Sequence, residues 1–105
     1  MSLQIQSSYD EKRNKWDLKA KGEVDISTAP QLRECLDGAY KEKKADILLD
    51  LDDLTYIDST GLGVIIGAFG RMQKTNNRIT LVNPKGNIKK LLSVTNLDKI
   101  LCPEN

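Results

Sequence analysis

The spacing of apolar residues switches along the chain between a period of two and the helical period, and this alternation restricts the fold more than any other feature. Trp16, Leu18 and Ala20 alternate with Lys15, Asp17, Lys19 and Lys21, which predicts a strand with one wet face. Leu3, Ile5 and Ser7 alternate with Gln4 and Gln6 in the same way, and Asp10-Glu11-Lys12-Arg13-Asn14 between the two runs reads as a hairpin loop. Ala29, Leu32, Leu36 and Ala39 then recur at helical spacing. Thr28-Ala29-Pro30-Gln31 ahead of them fits a capping box, in which Thr28 accepts the N–H of Gln31 and the Gln31 side chain reaches back. Ile47-Leu48-Leu49 is a continuous apolar run between Asp46 and Asp50, the pattern of a strand buried on both faces. Leu62, Ile65, Ile66, Phe69 and Met72 make a second helical stripe, and Ile79, Leu81 and Val82 a further strand. After the turn Asn83-Pro84-Lys85-Gly86, a third helix is expected through Ile88, Leu91, Leu92 and Thr95, and Ile100-Leu101 has the makings of a last short strand.

The resulting order is β-β-α-β-α-β-α, with an optional final β. It predicts an α/β fold with a mixed, mostly parallel sheet, an antiparallel N-terminal hairpin and about three helices. No linker, repeat or low-complexity stretch interrupts the 105 residues, so residues 1–105 are expected to form a single domain.

Composition narrows the chemistry. Sixteen basic residues stand against fifteen acidic ones, for a net charge of +1, which is no footprint for nucleic acid or for an anionic membrane. Histidine is absent, which removes His-based general-base catalysis, Ser-His-Asp triads and most zinc sites. Cys35 and Cys102 lie far apart and outside any metal-ligand spacing, so both are expected to be reduced thiols. No apolar run approaches the ~18 residues of a membrane span and no charged-then-apolar leader opens the chain. The expectation is a cytoplasmic protein with no enzyme activity, cofactor or metal.

The segment from Leu54 to Gly70 is the least ordinary. A helix is expected to start at Ser59 or Thr60, yet Gly61, Gly63, Gly67 and Gly70 fall inside it. Each interior glycine forgoes roughly 0.8–1 kcal/mol relative to alanine. Close helix-to-sheet packing is the expected reason at Gly67 and Gly70, whereas Gly61 and Gly63 sit in the first turn and leave its N–H groups open. Asp58 or Ser59 reads as the N-cap. Ser59 also reads as an exposed hydroxyl at a helix N-terminus, where a phosphate would meet unpaired N–H groups and the positive end of the helix dipole.

Tyr56-Ile57-Asp58-Ser59-Thr60-Gly61-Leu62-Gly63, together with Gly22-Glu23-Val24-Asp25 ahead of the first helix, resembles the STAS-domain anti-sigma factor antagonists of bacteria. The resemblance runs from about Leu3 to Leu101, and Asn96-Leu97-Asp98-Lys99-Ile100 is similar to the family's closing segment. It implies a regulator whose unphosphorylated form binds an ATP-dependent anti-sigma factor serine kinase and thereby frees a sigma factor for transcription. The kinase then phosphorylates the antagonist, which lets go, and a phosphoserine phosphatase reverses the step. By this resemblance Ser59 is the phosphorylation site, with Thr60 beside it as a second hydroxyl. Asp25 matches the family's acidic residue near that serine. The implied partner-binding residues are Asp25, Ile26, Ser27, Thr28, Asp58, Thr60, Gly61, Leu62 and Gly63.

Three rival readings fit less well. Asp50, Asp52, Asp53 and Asp58 cluster around a strand end as in an aspartate-phosphorylated receiver domain, but the acidic pair after the first strand and the late lysine of a receiver have no place here. Gly61-Leu62-Gly63 followed by Gly67 misses the dinucleotide fingerprint because position 66 is Ile, which weakens a nucleotide-sensing STAS reading. A STAS subunit of a larger stress-signalling complex is the third alternative.

Overall fold

The computed structural model describes residues 2–103. Strands β1 (Leu3–Asp10) and β2 (Lys15–Val24) form the expected hairpin, followed by α1 (Ala29–Glu42), β3 (Asp46–Asp50), β4 (Leu54–Ile57), α2 (Ser59–Gln73), β5 (Ile79–Val82), α3 (Gly86–Val94) and α4 (Asp98–Leu101). The sheet runs β1-β2-β3-β5. Its β1–β2 pairing is antiparallel, and β2–β3 and β3–β5 are parallel. β4 extends the same edge of β2 beyond β3, also parallel, with Tyr56 beside Glu23 and Ile57 beside Val24.

Alternation along the strands decides which face is covered. Trp16, Leu18, Ala20, Ile47, Leu49, Ile79 and Leu81 are buried, and registers such as Leu18–Leu49 and Leu49–Leu81 place them side by side on one face. The buried side chains of all four helices join this same core, including Leu32 and Leu36 of α1, Ile65 and Met72 of α2, Ile88 and Leu92 of α3, and Leu101 of α4. Leu48, expected to be buried like its neighbours, is only half-buried, because the opposite face of the sheet carries no helical layer that joins the core.

Three local expectations change. Thr28 precedes α1 but makes no side-chain cap. Its buried hydroxyl donates to the Glu23 carbonyl (2.9 Å) and accepts the Asp25 N–H (2.9 Å), while the Gln31 amide donates to the Leu3 carbonyl (2.9 Å). A strand end and a loop compete for that hydroxyl and win, because they would otherwise leave polar backbone groups unpaired beside the core. The second correction is β4, a strand absent from the expected element order. It buries Leu54 and Ile57 and exposes Thr55 and Tyr56, because a register shift at Gly22/Glu23 breaks the two-residue alternation. The third lies at the end of the chain, where Ile100-Leu101 is helical. Asn96 takes a left-handed conformation (φ 60°) after α3, and one turn follows in which the Leu101 N–H donates to Leu97 (2.8 Å) and that of Cys102 to Asp98 (2.8 Å).

The glycines of α2 also depart from expectation. Gly67 and Gly70 do not approach the sheet: a Cβ at Gly70 would have nothing within 4 Å, and one at Gly67 would meet only the Arg71 guanidinium, at 3.3 Å. Gly61 is the glycine that packing requires. A Cβ there would lie 2.6 Å from Val24 Cγ1 and 2.7 Å from Ile57 Cγ1. Gly61→Ala should therefore destabilise the domain by about 1–3 kcal/mol through overpacking. Gly70→Ala should stabilise it by up to about 1 kcal/mol, since helix propensity is all that changes. Urea unfolding of the two variants checks the contrast, and equal effects would refute the packing argument.

Candidate functional site

Two loops at the C-terminal ends of parallel strands meet here: 25–28 follows β2, and the start of α2 follows β4. The Asp58 N–H donates to the Val24 carbonyl (3.1 Å), which ties the helix start to the end of β2. Asp58 is the N-cap. Its backbone is extended (φ −106°, ψ −175°), its carboxylate accepts the Gly61 N–H (3.0 Å), and its carbonyl accepts the Leu62 N–H (3.0 Å). The next two residues, Ser59 and Thr60, open the helix with exposed side chains. Neither hydroxyl is held by another group among the described residues.

Asp25 organises the neighbouring loop. One carboxylate oxygen accepts the Ser27 hydroxyl (2.6 Å) and the N–H groups of Ser27 (2.8 Å) and Thr28 (3.2 Å). The Ser27 hydroxyl, and then these N–H groups, hold the Asp25 carboxyl below its ordinary pKa of 3.8. A carboxyl whose pKa is lowered on folding stabilises the fold fully above its unfolded pKa. That contribution is lost as pH falls through the folded value, so at neutral pH the loop is set and Asp25 is charged. Ile26 projects from this loop with 77% of its surface exposed.

The residues expected at a partner surface thus divide by depth. Ile26, Ser27, Thr60 and Gly63 are exposed, while Asp25 and Asp58 are partly so. Thr28, Gly61 and Leu62 are buried, so they support the surface from beneath. Sequence reasoning did not single out two arginines that line a groove leading away from this turn. Arg33 of α1 and Arg71 of α2 share a groove with Thr60 and Gly63. The pairing of α1 with α2 brings them together, and neither residue belongs to a local motif that would have flagged it.

Among the described residues, no helix is long and apolar enough to cross a membrane. The STAS domain family matches residues 9–104. The chain is also 37% identical over 96 residues to the anti-sigma-B factor antagonist of Bacillus subtilis, covering 90% of this chain and 87% of that one. The chain belongs to the STAS-domain family. An anti-sigma-B factor antagonist of Listeria monocytogenes is 35% identical over 86 residues, covering 81% of this STAS domain and 75% of its own length. The crystal structure of a putative anti-sigma factor antagonist from Thermotoga maritima matches with a TM-score of 0.83 at 26% identity, over 92% of this chain and 82% of that one. The phosphorylated form of the Bacillus cell fate determinant SpoIIAA shares the fold, with a TM-score of 0.70 at 21% identity over 93% of this domain and 86% of its own chain.

The cap is the testable element of this geometry. Asp58→Ala should lower stability by about 0.5–2 kcal/mol, and Asp58→Asn, which keeps an acceptor for the Gly61 N–H, by much less. Chemical denaturation distinguishes the two, and an alanine variant as stable as the parent would remove the cap from the account.

Proposed function

We propose that this STAS domain is an anti-sigma factor antagonist switched by phosphorylation of Ser59. Unphosphorylated, it binds an ATP-dependent anti-sigma factor serine kinase in the cytoplasm and releases the sigma factor that the kinase holds. The kinase transfers the γ-phosphoryl group of ATP to the Ser59 oxygen, the hydroxyl proton leaves, and ADP remains. A phosphoserine phosphatase restores the free hydroxyl. The domain acts by binding and brings no catalytic machinery of its own.

The observation that carries this reading is the exposed, unengaged Ser59 hydroxyl on a capped helix start, side by side with the Asp25 loop. The curated relatives support it by name, as anti-sigma-B factor antagonists. The charges supply the mechanism. Phosphoserine adds about −1.5 to −2 charge at neutral pH, next to Asp58 and close to Asp25. In water that charge is hydrated and tolerated at a helix N-terminus. Inside an interface it loses hydration among like charges, and binding weakens.

No refolding is needed for such a switch. SpoIIAA in its unphosphorylated and phosphorylated forms matches this chain with a TM-score of 0.70 in both cases, so that protein keeps its fold in either state.

Incubation with the kinase and ATP should place one phosphate on Ser59 by mass spectrometry. Affinity for the kinase should then fall at least ~10-fold, equivalent to ~1.4 kcal/mol. Ser59→Ala should bind and escape release, and Ser59→Asp should reproduce part of the loss. A phosphate found on Thr60 or Ser27, or a phosphoprotein that binds as tightly as the free form, would overturn the proposal.

A further inference from the structure

α1 and α2 pack side by side, and a groove of about 290 Å³ runs between them along α2, from Thr60 in its first turn to Arg71 in its last, lined also by Arg33, Gly63, Val64 and Gly67. Gly67 leaves room for the Arg71 side chain: a Cβ there would stand 3.3 Å from a guanidinium nitrogen of Arg71. Asp37 of α1 then fixes that guanidinium with a 2.8 Å hydrogen bond and faces Arg33 at 3.6 Å. One carboxylate therefore serves two guanidinium groups. Each guanidinium carries about five N–H donors, and the Arg71–Asp37 contact is their one hydrogen bond to a side chain among the described residues.

We propose that this groove receives a single carboxylate side chain, Asp or Glu, from the surface of the partner kinase, as a second anchor further along α2 from the Ser59 turn. The inference rests on the kinase-binding reading above and adds to it the site and the charge of the contact.

The charge count argues for a carboxylate. Two arginines and Asp37 leave a net of about +1, which one carboxylate neutralises, whereas a dianionic phosphate would overmatch it and face Asp37 at close range. Solvent access argues against a free small molecule. The two arginine side chains are 64% and 46% exposed, so a carboxylate diffusing alone would be weakly held. The same pair gains strength when a protein covers it and excludes water. Thr60 lines the groove and follows Ser59 directly, so a partner seated on the acceptor serine lies within reach of it.

The test uses the full chain and the purified anti-sigma factor kinase, with dissociation constants measured at low and at physiological salt. Arg33→Glu and Arg71→Glu are each expected to weaken binding at least about tenfold and to flatten its salt dependence. Lys41→Glu, the same charge change near the far end of α1, should alter affinity less than about threefold. Arg33→Glu decides the matter if Arg71→Glu, which loses its tie to Asp37, melts early. Equal effects of Arg33→Glu and Lys41→Glu, or none, would overturn the groove while leaving the Ser59 switch standing. Failure of the parent protein to bind the kinase would instead overturn both.

Discussion

The contact of Gly61 with Val24 and Ile57 holds the functional end of the molecule together. Val24 ends β2, Ile57 ends β4, and Gly61 lies in the first turn of α2, so three elements converge where a side chain has no space. The Asp58 N–H bound to the Val24 carbonyl and the Asp58 carboxylate bound to the Gly61 N–H lock the same junction from the polar side. Both constraints point Ser59 outward. A looser junction would let the helix start fray, and the Ser59 hydroxyl would lose its fixed position beside the Asp25 loop.

This explains why the remaining glycines of α2 need separate reasons. Helix propensity penalises all four, but the close approach that justifies a glycine exists only at Gly61. Gly67 yields space to a guanidinium, and a Cβ at Gly63 or Gly70 would touch nothing within the isolated domain. A glycine-rich helix start is thus a mixture of packing necessity and openness towards whatever approaches from outside.

Much of the fold was legible in the sequence because a half-buried sheet writes its alternation plainly, as in Trp16, Leu18 and Ala20. The helices were legible by the same means. β4 escaped because an extra residue in β4 itself, Thr55, spaces its buried ends, Leu54 and Ile57, three residues apart. Thr28 was misread because a capping box is a local pattern, while its hydroxyl answers to Glu23 and Asp25, which only the fold brings near. At the candidate site, Asp58 and Ser59 stood out because the cap and the proposed acceptor are adjacent in sequence. Arg33, Asp37 and Arg71 did not, since packing between two helices assembles them.

The account treats phosphorylation as a local change of charge on a fixed scaffold. Backbone amide NMR of the protein before and after stoichiometric phosphorylation of Ser59 tests this most directly. The account predicts shift changes confined to residues 25–28, the first turns of α2 and the facing turn of α1, with the amides of β3, β5 and α3 unmoved. Widespread shifts through the sheet and α3 would contradict it, and would place the switch in a rearrangement of the whole domain.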